Sequence, residues 1–371
     1  MRDVGITGGN GELSEFLTLH EIADAARKNL SDGVWDYLTG GADTETTLLR
    51  NRQGLDAIAF RPRVLRDVRE IDATGQTMGH ASRLPIALAP MGSLQSMEAG
   101  GAMSVAKAAE EFGVVSFLSS VTVPGLEEIA AETNHPKIYQ LYVRGDRDWV
   151  AEYAKRAIEH GYNAFCLTVD VALYSRRERD IIKRYLPAGR RRGGDGWEFQ
   201  AGLNWDLVKW FKDTFDIPLL IKGIATAEDA LMCVDHGIEG VYVSNHGGRQ
   251  LDHGRAAIDV LPEIVEAVGG RAQIIIDGGF MRGADVLKAL ALGADTVAIG
   301  KLQGLGLSAA GTEGIVRVLE LLETEMRTCL GLLGLTSNAE LDASFLHPAT
   351  PVYEPAPLNA FPFLDPRSPK Y

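Results

Sequence analysis

Cysteine is scarce in this chain of 371 residues, which contains only Cys166, Cys233 and Cys329. An odd number of cysteines at such wide spacing provides neither a disulfide framework nor a cluster of metal ligands. We therefore expect no metal site, and we expect a reducing, cytoplasmic compartment.

Long apolar runs and an excess of positive charge are also missing. No run reaches the roughly 18 uncharged apolar residues of a transmembrane helix, and the amino terminus lacks the apolar core of a signal peptide. The chain has 37 basic and 50 acidic residues, a net charge of −13, which argues against a general affinity for nucleic acid or anionic membranes. We expect small-molecule partners and no transmembrane segment, while peripheral membrane association stays open.

What the chain does contain is a regular alternation of short apolar runs with helical patterns. Strands that alternate with helices pair in parallel, because each crossover returns the chain in the same direction. Eight such units over about 230 residues fit an α/β fold, the TIM (β/α)8 barrel. An open doubly wound sheet is less favoured, because no Gly-x-Gly-x-x-Gly follows the first strand. The predicted strands are 85–90, 114–119, 137–143, 164–170, 218–223, 240–244, 273–277 and 296–300.

The remaining segments suggest additions to one barrel domain spanning 19–371. Residues 19–84 are predicted to form an N-terminal helical cap, with helices at 19–30, from a Ser31–Asp32 cap through Leu38, and from a Thr44 cap to about Leu55. We expect a polar arm at 1–18, a barrel at 85–335, a lid-like loop at 172–204 and an extended tail at 336–371. The arginine run at 190–192 suggests either a solvated loop or, as part of that lid, a docking patch for an acidic partner.

Polar side chains follow nearly every predicted strand. In a barrel the carboxyl ends of all strands assemble the active site. The sixth strand ends in Ser244-Asn-His-Gly-Gly-Arg-Gln-Leu-Asp252, where an imidazole and a guanidinium share a turn whose glycines allow close approach to the backbone. The segments 277–283 and 300–301 place backbone N–H groups beside cations after the seventh and eighth strands, which predicts a phosphorylated ligand.

Together these segments resemble the FMN-dependent 2-hydroxy acid oxidases and dehydrogenases. The resemblance covers about residues 19–341 and includes Tyr139-Gln-Leu-Tyr142, Leu167-Thr-Val-Asp170, Lys222-Gly223 and Ala289-Leu-Ala-Leu-Gly-Ala294. It implies FMN as cofactor, oxidation of an L-2-hydroxy acid to the 2-keto acid, and oxygen or a quinone-like compound as electron acceptor. It also implies a homo-oligomer, a tetramer or an octamer.

The resemblance assigns roles to individual residues. His246 would take the hydroxyl proton while the substrate's Cα hydrogen moves to flavin N5, and Asp170 would orient His246. Lys222 would stabilise the reduced flavin ring. Arg249 and Arg177 would bind the substrate carboxylate, with Tyr37 and Tyr142 as hydrogen-bond partners. The cofactor-binding set would be Met91, Gly92, Ser119, Gln140, Thr168, Lys222, Ser244, Asp277, Gly278, Gly279, Arg282, Gly300 and Lys301.

Three departures from the family pattern affect what can be carried over. Met281 stands where many members have an arginine, which leaves Arg282 as the local cation, and Lys301 replaces an arginine. Val121 stands where glycolate oxidases have an aromatic residue, so we expect a pocket of different shape. A hydroxy ester or lactone as substrate, or oxidative decarboxylation as outcome, therefore stays open, as does a non-catalytic flavin-binding role.

Overall fold

The computed structural model describes residues 15–188 and 196–364. Its centre is a closed barrel of eight parallel strands, which confirms the predicted fold class. Each strand pairs with its neighbours in chain order, and the last pairs with the first. The barrel strands are β4 Ile86–Leu88, β5 Val115–Ser119, β6 Lys137–Leu141, β7 Ala164–Thr168, β8 Leu219–Ile224, β9 Gly240–Val243, β10 Gln273–Ile276 and β11 Thr296–Ile299.

Short strands outside the barrel were not predicted from the sequence. A hairpin of two of them precedes the barrel, and the Met78 side chain at its turn packs against the apolar side chains inside the barrel. The amino end of the barrel is thereby closed, so a ligand has to enter from the carboxyl end. These strands are β1 Ile58–Phe60, β2 Gly75–Thr77, β3 His80–Ser82 and β12 Leu346–Pro348.

Helices surround the barrel in the predicted alternation. They pack against it through a continuous apolar layer, while a smaller cluster of alternate strand residues fills the barrel interior. The helices are α1 Leu19–Asn29, α2 Asp32–Thr39, α3 Thr46–Asp56, α4 Ala102–Phe112, α5 Leu126–Glu132, α6 Arg147–Glu159, α7 Glu178–Ile182, α8 Trp197–Ala201, α9 Trp205–Thr214, α10 Ala227–Asp235, α11 Ala257–Val268, α12 Gly283–Ala291 and α13 Lys301–Leu333.

The three helices of the amino-terminal region lie where the sequence predicts them, and Ser31 caps α2 through Val34 N–H. The cap predicted for Thr44 is wrong. Helix α3 begins after Glu45, which has a left-handed backbone, and the Asp252 carboxylate accepts hydrogen bonds from the N–H groups of Thr44 and Thr47 at 3.0 and 2.8 Å. A residue from the loop after β9 therefore caps α3.

The predicted lid-like loop is partly helical, because α7 and α8 lie within it. The arginine run at 190–192 and most of the predicted arm at 1–18 lie outside the described residues. Within 15–188 and 196–364, no helix is long and apolar enough to cross a membrane.

Candidate active site

A cavity opens at the carboxyl end of the barrel. The space between its walls is about 1230 Å³, part of which is open solvent. Predicted site residues on its wall are Tyr37, Met91, Gly92, Tyr142, Arg177, Lys222, His246, Arg249, Asp277, Gly278, Gly279, Gly300 and Lys301.

His246 lies between a carboxylate and a phenol. Its Nδ1 is 3.0 and 3.2 Å from the two carboxylate oxygens of Asp170, and its Nε2 is 3.3 Å from the hydroxyl of Tyr142. Because an ionised carboxylate only accepts hydrogen bonds, the proton of the neutral imidazole belongs on Nδ1. The lone pair of Nε2 is then available to accept a proton in the cavity.

Electrostatics keep this pair in the charge state that a base requires. Burial lowers the pKa of His246 below its usual value, and Asp170 opposes this only in part. Burial would raise the pKa of Asp170, but His246, which is protonated at the low pH where Asp170 titrates, and Lys222 outweigh it and hold that pKa below its usual value. At neutral pH a neutral imidazole therefore faces an ionised carboxylate.

A glycine allows Asp170 to reach His246. Gly223 follows Lys222 with φ of +114°, and a Cβ at this position would come within 2.7 Å of the Asp170 side chain. Strand β8 also shifts register against β9 between Lys222 and Ile224. Gly223, which has no side chain, therefore leaves room for the Asp170 side chain, and the preceding Lys222 lines the cavity.

Lys222 is buried within a network of polar groups. Its Nζ donates to Ser244 Oγ at 2.8 Å and lies 3.4 Å from the Asp277 carboxylate, to which Ser244 donates at 2.6 Å. Burial favours the neutral amine, but the Asp277 and Asp170 carboxylates overcome it and raise the pKa of Lys222. The cavity thus has a fixed cation at its base. Ser244 also accepts from His246 N–H, so it holds this network together and does not line the cavity.

Arg249 connects the loop after β9 to the amino-terminal helices. Its Nη1 donates to the carbonyls of Tyr37 and Gly40, and its guanidinium lies 4.8 Å from the centre of the Tyr37 ring. The two segments meet closely, since a Cβ on Gly41 would lie 2.8 Å from the Gly248 carbonyl. Helix α2 therefore delivers Tyr37 to the same wall as Arg249.

Gly248 itself has φ of +74°, and a Cβ there would come within 2.4 Å of Leu48 N. The absence of a side chain at Gly248 therefore allows helix α3 to pack against the loop after β9. Arg177, the second predicted carboxylate ligand, is also buried in the wall. Its Nε lies 3.4 Å from the Arg249 carbonyl, and its guanidinium lies 4.5 Å from the Tyr174 ring.

Two predicted cofactor-binding residues, Gln140 and Thr168, have buried polar atoms without partners, although neither residue lines the cavity wall. Gln140 and Thr168, at the ends of β6 and β7, are fully buried, yet both amide atoms of Gln140 and the Thr168 hydroxyl have no hydrogen-bond partner. Buried polar groups are costly without partners. A planar cofactor with polar edges, such as the isoalloxazine of FMN, is the kind of group that satisfies them. Ser119, the buried last residue of β5, pairs in register with Gln140.

The predicted phosphate end contains one cation fewer than expected. Lys301 lines the cavity beside Gly278, Gly279 and Gly300. Burial and the nearby Arg249 charge lower the pKa of Lys301 well below its usual value, so an anion there would restore its charge.

Arg282 is not at the cavity. Its guanidinium pairs with Glu325 of α13 and donates to the Ala360 carbonyl at 3.1 Å. Its assignment as a cofactor-binding residue is therefore corrected to a contact between the loop after β10, helix α13 and the tail. Met281, in contrast, is buried in the cavity wall.

Several cavity residues were missed by the sequence reasoning. Tyr174, Pro187 and Trp197 come from the predicted lid, and Arg144 follows β6. Arg144 could have been found, because it lies two positions after Tyr142 and alternate residues of an extended segment share a face. The others follow no strand end, so barrel geometry does not point to them. Within the described part of the chain, no cluster of three or more metal-ligating side chains occurs.

The fold and site together define a class: a TIM-barrel protein with a buried histidine–carboxylate pair and several cations at a cavity on the carboxyl end of the barrel. The family model for FMN-dependent dehydrogenase matches residues 26–348. The chain belongs to this family of FMN-dependent 2-hydroxy acid oxidases and dehydrogenases, as the resemblance predicted. Its cofactor is accordingly FMN, and it is an oxidoreductase acting on CH–OH donors.

Individual relatives span oxidases and dehydrogenases. The chain is 36% identical over 361 residues to an L-lactate oxidase of Nostoc sp., covering 90% of this chain and 99% of that protein. It is 38% identical over 343 residues to a peroxisomal (S)-2-hydroxyacid oxidase of Arabidopsis thaliana, covering 87% and 94%. A soluble mutant of the membrane-associated (S)-mandelate dehydrogenase of Pseudomonas putida superposes with a TM-score of 0.83 at 32% identity, covering 89% of this chain and 99% of that one.

Proposed function

We propose that this protein oxidises an L-2-hydroxy acid to the 2-keto acid, with Nε2 of His246 as the base that removes the hydroxyl proton. The observation that carries the proposal is the Asp170–His246–Tyr142 chain of hydrogen bonds in a cavity that also contains Arg249. A neutral imidazole backed by a carboxylate accepts a proton well, because the carboxylate stabilises the imidazolium that forms.

FMN in the cavity would supply the acceptor for the hydrogen and two electrons released at the substrate Cα, at flavin N5. Gln140, Thr168 and Ser119 would hold the polar edge of the isoalloxazine, with the backbone at Met91 and Gly92 behind it. Lys222 would place its charge at the N1 and C2 carbonyl edge, where negative charge develops on reduction. Gly278, Gly279, Gly300 and Lys301 would hold the phosphate.

Arg249 and Arg177 would bind the substrate carboxylate, since a guanidinium matches a carboxylate with two parallel hydrogen bonds. The Tyr37 and Tyr142 hydroxyls would bond the carboxylate and the hydroxyl. Burial raises the pKa of Tyr142, which keeps this phenol protonated and able to donate. With both ends of the substrate held, its hydroxyl would face Nε2 of His246.

The carboxylate requirement is tested with Arg249→Met. We expect kcat/KM for a hydroxy acid to fall on the order of 100-fold, because a buried carboxylate would lose a charged hydrogen-bond partner. The matched control is Arg176→Met, an arginine on the same loop as Arg177 whose side chain is exposed. If Arg249→Met oxidises the free acid at the unchanged rate, or the methyl ester is the better substrate of the unmodified protein, the free-acid proposal fails.

The electron acceptor is proposed to be oxygen or a quinone-like compound. The rate at which air reoxidises the reduced protein is compared with the rate for a soluble quinone, and slow reoxidation by air means that the protein is a dehydrogenase and not an oxidase.

The cytoplasmic location, the homo-oligomer and the division into arm, cap, barrel and tail stay predictions. Size-exclusion chromatography with light scattering tests the tetramer or octamer.

A further inference from the structure

Arg144 places a cation on the cavity wall away from Arg249 and Arg177. It follows β6 and lines the cavity, and its guanidinium lies 3.2 Å from the centre of the Trp197 ring. Arg177 and Arg249 contact each other, with Nε of Arg177 3.4 Å from the Arg249 carbonyl, whereas the Arg144 guanidinium packs on Trp197. Arg144 therefore stands apart from the contact that joins Arg177 to Arg249.

Two aromatic rings separate Arg144 from Arg177. The Tyr174 ring lies 4.5 Å from the Arg177 guanidinium and 6.0 Å from the Trp197 ring. The Arg144 guanidinium packs on the Trp197 ring. The wall thus runs from one guanidinium across two rings to the next. A ligand that lies along it meets a cation at each end.

The position of Arg144 is built by the backbone. Gly196 precedes Trp197 with φ of +91°, and a Cβ on Gly196 would come within 2.4 Å of the Arg144 carbonyl. This contact joins the carboxyl end of β6 to the start of helix α8, although the two are far apart in the sequence. Arg144 and Trp197 are therefore held together by chain packing as well as by their side chains.

Among the described residues, the Arg144 guanidinium has the Trp197 ring as a partner but no anion. Its Nη1 is buried with no hydrogen-bond partner, and within residues 15–188 and 196–364 it forms no ion pair. Burial lowers the pKa of Arg144, which expresses the cost of holding this charge away from water. Arg144 is half-buried, and its buried Nη1 would be satisfied by an acceptor that enters the cavity it lines.

We infer that Arg144 is a specificity-determining residue that binds a second, terminal carboxylate of the substrate, so that the preferred substrates are L-2-hydroxy dicarboxylates. This rests on the proposed function, in which Arg249 and Arg177 bind the carboxylate next to the reacting carbon. The reaction itself is unchanged: the hydroxyl proton goes to His246, the Cα hydrogen and its electron pair go to FMN, and a 2-keto dicarboxylate leaves.

The experiment compares substrate pairs that differ only in the terminal carboxylate. These are L-2-hydroxybutanedioate with L-2-hydroxybutanoate, and L-2-hydroxypentanedioate with L-2-hydroxypentanoate. For the FMN-loaded protein we expect kcat/KM to favour the dicarboxylate by about 10-fold or more, as one charged hydrogen-bonded pair provides. In Arg144→Met this ratio falls to about 1, mainly through KM. Arg147→Met, an exposed arginine three positions away, keeps the ratio.

A charge-reversal variant and a binding measurement distinguish recognition of the terminal carboxylate by Arg144 from a purely structural role of this residue. Arg144→Glu should reverse the preference, so that L-6-amino-2-hydroxyhexanoate is oxidised more efficiently than L-2-hydroxypentanedioate. Calorimetric titration of the FMN-loaded protein should show tighter binding of butanedioate than of butanoate, and this difference should disappear in Arg144→Met.

Two results overturn the inference, and they can be told apart. If hydroxy acids reduce the flavin but the paired acids react equally, or if the ratio is the same in Arg144→Met, the inference fails and the proposed function stands. If no hydroxy acid of either kind reduces the flavin, both fail.

Discussion

The Asp170 carboxylate lies 3.0 Å from Nδ1 of His246 and leaves Nε2 facing the Tyr142 hydroxyl. This contact fixes which nitrogen carries the proton. It also opposes part of the burial effect that lowers the pKa of His246. The pair is the structural basis for the proton transfer that we propose.

Replacing Asp170 with asparagine should therefore affect both the rate and its pH dependence. We expect the rate to fall on the order of 10²- to 10⁴-fold, because the imidazolium loses its counter-charge. The base works only when His246 is neutral, so activity is present above its pKa and lost as pH falls through it. Because Asp170 raises that pKa, its removal should move the acid limb of kcat/KM to lower pH. A pH profile with an unmoved or raised acid limb contradicts this assignment.

Thr168→Val should have effects of opposite sign on the apoprotein and on cofactor binding. The Thr168 hydroxyl is buried without a partner, so an isosteric methyl should stabilise the apoprotein by about 1 kcal/mol. The same change should weaken FMN binding by about 10-fold, because the flavin loses a hydrogen-bond partner. Thermal unfolding of the apoprotein and fluorescence titration with FMN measure the two effects. Unchanged FMN affinity would place the flavin elsewhere.

Lys301 and Arg282 provide a test of the phosphate end. Lys301→Met should weaken FMN binding about 10- to 100-fold, as expected for the loss of a charged partner of phosphate. Arg282→Met should change it far less, since that guanidinium pairs with Glu325 outside the cavity. If the two variants lose FMN affinity equally, Arg282 does contribute to the cofactor site.

Arg52 should be important for stability. It lies buried between Asp285 of α12 and Asp56 of its own helix, at 2.7 to 2.8 Å, and donates to the Gly279 carbonyl of the loop after β10. Arg52→Leu removes the ion-pair partner of the buried Asp285, which keeps only the N–H groups of Met281 and Arg282, and should cost roughly 3–5 kcal/mol in the free energy of unfolding. The exposed Arg69→Leu should cost close to nothing, as surface ion pairs contribute little. Urea denaturation compares them, and similar midpoints for the two variants would contradict the prediction.

Much of the site could be predicted because the barrel imposes its own geometry. Once eight strands are recognised, their carboxyl ends must meet, and Lys222, His246 and Lys301 are therefore brought together without further information. The resemblance added Tyr37, which no strand carries.

What could not be predicted depends on contacts between distant segments. Arg282 follows a strand in the expected place, but its direction is decided by Glu325, whose position the local sequence does not reveal. The cap of α3 comes from Asp252, about two hundred residues later, and the pairing of Arg144 with Trp197 depends on a glycine in the lid. Long-range packing decides each of these cases.

The central claim is that His246 acts as the base in the oxidation of an L-2-hydroxy acid. The most direct measurement is anaerobic bleaching of the FMN-loaded protein by L-2-hydroxy acids, followed by stopped-flow absorbance in the unmodified protein and in His246→Gln. We predict rapid bleaching by L but not D acids, and a rate at least about 100-fold slower in the variant. No bleaching by any hydroxy acid, or equal rates in the two proteins, would contradict the account.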